Sequence, residues 1–282
     1  MTAKDMNGKT VLVTGSNTGL GRVTAEELAR RGAKVILANR SEDRTRPVLD
    51  AISTAGGEAV FHPLDLSDLT SVRKSAEAWL ARNEPLHVLI NNAGLAGQKG
   101  LTPDGFERHF GVNHLGPFLF TLLILPSLRQ AGEARIVNVA SRAHKRVKRV
   151  SFDALQRPTA SPTGFPEYGV SKLANVYFSR ELGRRLAGSG ITTYAVHPGV
   201  VASDIWRKVP WPFRSIIKRF MVTNEEGAKT QVRCATDPAL RNETGRYYAE
   251  SRELALQGLG NDESLCKTMW ERSIAWTGAP EP

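Results

Sequence analysis

The chain has 282 residues, 41% hydrophobic and 23% charged, with a formal net charge of +10. That composition fits a globular protein and excludes a disordered or collagen-like chain, while two cysteines are too few for a disulfide framework. The amino terminus "MTAKDMNGKT" has no apolar signal region, and no run of about 18 apolar residues occurs, so a cytoplasmic protein is expected.

In chain order, "TVLVT" (10–14) reads as a strand and "LGRVTAEELARRG" as the helix after it. "KVILAN" (34–39) is a second strand, followed by a charged helix to about Ala55. "AVFHPLDL" (59–66) is a third strand, "SDLTSVRKSAEAWLAR" a third helix and "HVLINNAG" a fourth strand. One long helix is expected from about Pro103 to Arg129, then the strand "ARIVNVAS" (134–141). After an irregular basic loop comes a helix holding "EYGVSKLANV" (167–176), then the strand "ITTYAVHPG" (191–199). The tail "CKTMWERSIAWTG" reads as a docked helix. Strand and helix alternating at this spacing predict an α/β fold, a doubly wound Rossmann-type parallel sheet covered by helices on both faces. No Gly-, Pro- or Ser-rich linker divides the chain. The reading is one domain, with a cofactor-binding part over about 8–140, a catalytic and substrate part over about 141–250 and a carboxy-terminal extension over about 251–282.

The first strand runs into "TGSNTGLG", with Gly15, Gly19 and Gly21 spaced G-x-x-x-G-x-G. Glycine lets the backbone turn sharply there and brings amides at a helix amino terminus close to a pyrophosphate. An NAD binder places an acid at the end of the second strand, on the ribose 2′-hydroxyl. Here Asn39 and Arg40 stand there, and no carboxylate occurs until Glu42. The paired donors of Arg22 and Arg40 suit a 2′-phosphate, so NADP(H) is the expected cofactor, with NAD(H) left open.

Tyr168 and Lys172, four residues apart, leave the same face of a helix. Alone such a pair is an ordinary surface feature. Beside a cofactor turn, an ammonium would lower the pKa of the phenol toward neutrality and equip it for proton transfer.

"TGSNTGLG", "NNAG" (91–94), Asn113, Ser141 and "YGVSK" occur in the order found in the short-chain dehydrogenase/reductase family, and the chain resembles that family over roughly residues 8–204. "NHLGPFLFT", "VASRAH", "YGVSKLANV" and "HPGVV" look closest to its retinol-dehydrogenase-like branch, which is largely NADP-dependent. The resemblance implies cofactor contacts from the turn residues Gly15, Asn17, Thr18, Gly19, Leu20, Gly21 and Arg22, and from Asn39 and Arg40. It adds Asp65 and Leu66 beside the adenine, and Asn91, Ala93 and Gly94 lining the cofactor loop. Tyr168 and Lys172 touch the cofactor as well. "HPGVVAS" would close over the nicotinamide through Pro198, Gly199, Val201 and Ser203, the last in place of a usual threonine. Asn113 matches the residue that props the lysine, Ser141 the serine that polarises a substrate carbonyl, Tyr168 the proton donor and Lys172 its partner. Ser141 and Tyr168 lie 27 apart, about twice the usual family separation.

The implied activity is NADP(H)-dependent interconversion of a carbonyl and an alcohol on a bulky apolar substrate. The rivals are a double-bond reductase using the same Tyr and Lys, and a regulator that binds NADP(H) without turnover. Two basic stretches, 141–149 and 206–220, hold five Lys or Arg each. No nucleic-acid module accompanies them, so no nucleic-acid partner is expected. The segment 204–220, with Trp206, Trp211, Phe213 and Phe220, reads equally as a substrate lid or a packed amphipathic helix, and its charge leaves peripheral membrane contact open. By resemblance alone, a homodimer through two long helices is open too. His144 is expected either to touch substrate or to sit exposed, His197 to pack or bond locally, and no histidine is assigned to a metal.

Overall fold

A computed structural model describes residues 4–199 and 223–282. Five Rossmann-type strands come first: β1 (Thr10–Thr14), β2 (Lys34–Asn39), β3 (Glu58–Pro63), β4 (Val88–Asn91) and β5 (Ala134–Val139). They are followed by β6 (Ile191–His197), β7 (Arg246–Ala249) and β8 (Arg252–Glu253). The sheet order is β3-β2-β1-β4-β5-β6-β7-β8. Every neighbouring pair is parallel except β7 with β8. The strand order reverses direction between β1 and β4, and doubly wound sheets open a ligand crevice at such a point.

Helices cover both faces. They are α1 (Gly19–Arg30), α2 (Glu42–Thr54), α3 (Leu69–Leu80), α4 (Arg108–Phe110), α5 (Gly116–Leu123), α6 (Leu125–Gln130), α7 (Phe165–Arg185), α8 (Asn224–Thr236) and α9 (Glu263–Thr277). The strands alternate between two cores, as their period of two requires. Leu12, Ile36, Leu89 and Ile136 point to one face, where Phe118, Phe178 and Trp270 bury their rings. Val11, Val13, Val35, Leu37 and Ile90 point to the other, against Ala25 and Leu28 of α1 and Cys234 of α8. Caps fix the helix starts: the Asp68 carboxylate accepts the amides of Thr70 and Ser71, and Asp262 accepts that of Leu265.

Several boundaries differ from the sequence reading. The expected helix over 103–129 starts only at Arg108, because Thr102–Phe106 closes a turn (Thr102 N–H to Phe106 O, 2.8 Å) and Leu101 bridges Glu107. It then passes through a π-helical turn, Gly111–Leu115, and is interrupted again at Ile124. β3 stops at Pro63, after which Leu64 makes one last bond to Asn39 O and Asp65 turns onto Ser67. β6 stops before Pro198, which has no N–H to extend the ladder. The strands β7 and β8 and helix α8 were not anticipated; β7 extends the parallel sheet beside β6. The tail helix α9 docks as expected, with Met269 and Trp270 buried and Trp270 packed edge-on against Phe118.

Candidate active site

The glycine turn after β1 closes against the loop after β4. Gly15 has φ +64°, and a Cβ there would stand 2.8 Å from the Ala93 backbone; one on Gly21 would overlap Gly15 O and the Asn92 amide. Glycine is therefore required at both positions by close approach. Asn92 locks the two loops together, donating to Thr14 O (2.9 Å) and Gly15 O (3.1 Å), while Thr14 Oγ1 accepts from Ala93 N–H. Asn17, Gly19 and Leu20 are half-buried on the turn, and Thr18, Arg22 and Arg40 are exposed beside it.

The two candidate phosphate arginines differ. Arg22 pairs with Glu26 along α1 at 2.7 Å, whereas Arg40 leads off the end of β2. Asn39 is buried, and its amide is spent on the turn: Oδ1 accepts Ser16 N–H (2.8 Å) and Nδ2 donates to Ser16 Oγ (3.1 Å). Asp65 is half-buried and accepts from the amide and hydroxyl of Ser67, and Leu66 is buried beneath Gly116. Asn91 is turned inward, donating to Thr121 Oγ1 and to Asn138 Oδ1 across the β4–β5 register.

The remaining candidates converge at the carboxyl ends of β4 and β5. Asn113 lies in the π-helical turn, fully buried; such turns often mark functional positions. Its Oδ1 accepts Leu95 N–H (2.8 Å), and its Nδ2 donates to Leu95 O and Ser171 Oγ (both 3.0 Å). Lys172, one residue on from Ser171, is buried and donates from Nζ to Val139 O at 2.8 Å, where Asn175 also donates. Burial pushes the Lys172 ammonium down to about 7. The exposed Gly94 joins these groups: a Cβ there would lie 3.2 Å from Asn113 Oδ1 and 3.4 Å from Lys172 Nζ. Lys172 Nζ stands 5.7 Å from the centre of the Tyr168 ring.

Ser141 caps the short 3₁₀ turn Arg142–Arg146 and accepts Ala143 N–H at 3.2 Å. A hydrogen bond from the Ser141 side chain favours ionisation of Tyr168, but burial outweighs it and raises the phenol pKa. The Lys172 ammonium is directed to Val139 O, and burial has already weakened its hold on its own proton.

Pro198 and Gly199 are half-buried, with Gly199 at φ +91°. Val201, Ser203 and the segment 204–220 lie outside the described residues. His144 is neither exposed nor free: it is buried, its Nδ1 lies 2.6 Å from Ser141 O, and its ring meets Tyr247 edge-on. His197 packs in the interior with no hydrogen bond to either ring nitrogen among the described residues, and burial pushes it down to about 4. Sequence reasoning passed over Ser171, Asn138, Glu107 and His109. The asparagine inside the apolar strand "RIVNVAS" was the one available signal among them.

The fold and this geometry agree with what the chain is similar to. Residues 9–211, well over half the chain, match the family model described as short chain dehydrogenase. The chain belongs to the short-chain dehydrogenase family. Within that family it is 42% identical to human "Retinol dehydrogenase 11", over 97% of this chain and 87% of that protein. It is 39% identical to human "Dehydrogenase/reductase SDR family member 13", over 97% and 74%. Among solved structures, a putative uncharacterised protein from Mycobacterium paratuberculosis superposes with TM-score 0.80 at 32% identity, covering 98% of this chain and 96% of that one. A putative NAD(P)-dependent gluconate 5-dehydrogenase from Beutenbergia cavernae with bound NADP superposes with TM-score 0.72 at 27% identity, covering 88% and 96%. Like other short-chain dehydrogenases, this chain is an oxidoreductase acting on alcohols and carbonyls with a nicotinamide dinucleotide.

Proposed function

We propose that this short-chain dehydrogenase is an NADP(H)-dependent oxidoreductase that interconverts an aldehyde or ketone and an alcohol on a bulky apolar substrate. The observation that carries the reading is the convergence of Asn113, Lys172 and Gly94 beside Tyr168 and Ser141 at the switch point of the sheet. The retinol dehydrogenase relatives supply the substrate class, with retinal as a first probe. The site suits a dinucleotide on its own geometry, since Gly15 and Gly21 let the turn after β1 pack onto Ala93 and Asn92, with the amino terminus of α1 opening directly from it.

When bound, the reduced nicotinamide supplies the hydride. The rest of the reduction falls to the chain. Ser141 donates a hydrogen bond to the substrate oxygen as charge builds on it, and Tyr168 transfers its hydroxyl proton to that oxygen. Lys172, whose hold on its proton is weakened by burial, can stabilise the tyrosinate and return the proton. Asn113 holds Leu95 and Ser171, and so the loop and helix on which Gly94 and Lys172 stand.

Preference for NADP(H) is carried by Arg40 at the end of β2, where no acid stands, with Arg22 able to exchange its exposed Glu26 partner for a phosphate. Binding titrations with NADPH and NADH decide it: tighter NADH binding would reverse the assignment. A cytoplasmic location, a homodimer and a peripheral membrane contact through 204–220 belong to the same reading; among the described residues no helix is long and apolar enough to cross a membrane. The activity itself is tested by NADPH oxidation against retinal and a panel of aldehydes, ketones and quinones. Binding of NADPH with no turnover of any of them would favour the regulator instead.

A further inference from the structure

A buried carboxylate–histidine pair lies next to Tyr168, on residues to which the mechanism above gives no part. Glu107 and His109 are 2% and 0% exposed, with His109 Nδ1 2.9 Å from Glu107 Oε1. Glu107 Oε1, which also receives the Thr159 hydroxyl, is the acceptor here, so Nδ1 is assigned as the donor of this pair. The other nitrogen, Nε2, is buried and has no hydrogen-bond partner among the described residues. The imidazole is therefore held from one side only, and its remaining surface is spent on packing.

Two things pack against it, and both belong to the catalytic tyrosine. The Tyr168 ring meets the imidazole edge-on, with centroids 6.3 Å apart. Gly164, which precedes α7 at φ +72° and accepts the Tyr168 amide at 2.9 Å, lies so close that a Cβ would stand 2.8 Å from His109 Cε1. His109 thus touches the side chain of Tyr168 and the backbone turn that starts its helix.

Glu107 in turn fastens the long insert between Ser141 and Tyr168. Its carboxylate accepts the Thr159 hydroxyl and the Phe110 amide (3.0 Å), and its own amide donates to Leu155 O at 2.8 Å. The far end of the insert is closed by Glu167, which accepts from the Ser161 amide and hydroxyl, while Ser161 Oγ receives Gly164 N–H.

We propose that Glu107 and His109 are a positioning pair, which docks the 147–164 insert and sets where the Tyr168 hydroxyl stands relative to Ser141. The inference rests on the proposed role of Tyr168 as proton donor. It accounts for how a separation of 27 residues delivers the two groups to one point: the extra chain is pinned at Leu155 by the Glu107 amide and at Thr159 by the Glu107 carboxylate, which also orients the ring beneath Tyr168. A pair that only satisfied its own charges would have no reason to touch Tyr168 twice.

The test compares His109→Phe, which keeps a ring and loses the donor, with His109→Asn, which keeps a donor near Nδ1 and loses the ring. With the carbonyl that the unaltered enzyme reduces fastest, both are expected to lower kcat about 10–100-fold, the scale of a misplacement near 1 Å, while the KM for NADPH stays within twofold. Recovery of kcat to within twofold by either variant, measured per folded molecule, would overturn the proposal, since ring packing or charge satisfaction alone would then suffice. If neither variant folds, Thr159→Ala decides by the same readout: a kcat at least threefold lower supports the pair, and an unchanged kcat overturns it. If the unaltered enzyme reduces no carbonyl, the functional reading has failed separately. Hydrogen exchange on Glu107→Gln then judges the docking half, with at least tenfold faster exchange expected in 147–164 and the first turn of α7 alone; a uniform or absent change overturns it.

Discussion

Lys172 is the residue whose surroundings are least comfortable and most useful. A buried ammonium costs stability, and its pKa of about 7 states the size of that cost. Between pH 7 and 10.5 the unfolded chain binds a proton at this lysine that the folded chain has released, so stability rises with pH across that window. Below about pH 7 both states hold it, and the penalty is complete. Each pH unit across the window is worth about 1.4 kcal/mol, against which stands a bond to Val139 O worth about 1 kcal/mol. Lys172→Met is therefore expected to melt at a higher temperature than the unaltered protein, with the gap widest at pH 7 and below and closing toward pH 10, while turnover is lost. Thermal melts across pH would check it, and a variant less stable at pH 7 would contradict it. Tyr168→Phe removes the proton donor but not the ring on His109; kcat should fall by about 10²–10⁴-fold with NADPH affinity retained, as steady-state rates and a fluorescence titration would report.

At the scale of elements, the site depends on loops that meet because strands end together. Thr14 and Asn91 close β1 and β4, and Asn92 reaches back to the carbonyls of Thr14 and Gly15. Gly21, in the first turn of α1, allows that contact. Gly21→Ala would push its methyl into Gly15 O and the Asn92 amide. The expected outcome is a loss of NADPH affinity of at least about tenfold, together with a destabilisation of about 1–3 kcal/mol, the usual cost of overpacking. Isothermal titration and denaturant unfolding read the two effects. Undiminished affinity would mean that the turn relaxes without consequence. The break in the helix before Gly116 works in the same way, because the π turn aims Asn113 at Leu95 and Ser171 rather than into the core.

For the whole molecule, three neutral histidines tie the interior to pH. Burial pushes His62 and His197 down to about 4 and His114 to about 3. In each case the unfolded chain takes up a proton, near pH 6.5, that the folded interior refuses, so stability falls as pH drops below about 6.5 and levels only near the folded values. The paired carboxylates, such as Asp5 and Glu84, lose their partners' benefit lower still, below about pH 4.5. The interval from 6.5 to 4.5 therefore isolates the histidines. His114→Gln is expected to flatten the fall of the melting temperature there; an unchanged slope would place the acid sensitivity elsewhere. His114 also joins the middle of the fold to its carboxy terminus, through Ser273 of α9 at 2.9 Å.

The strand–helix alternation, the glycine turn and the Tyr168–Lys172 spacing are legible in the chain, because strand hydrophobicity and helix period are local properties, while Asn113 and Ser141 are candidates by resemblance. The sequence also carried the family, since five short motifs in fixed order are specific where each alone is modest. What depends on distant neighbours came from the fold. β7 and β8 were illegible because strands of four and two residues have little periodicity of their own and exist by pairing with β6 and with each other. Asn39 and Asn91, cofactor contacts by resemblance, turn their amides inward onto Ser16 and Asn138. His144, expected to touch substrate or to sit exposed, is buried under Tyr247, a contact 103 residues away in sequence that no local pattern announces. The raised pKa of Tyr168 and the lowered one of Lys172 belong to the same class. A charge is priced by the dielectric around it, and that is set by packing from the whole fold.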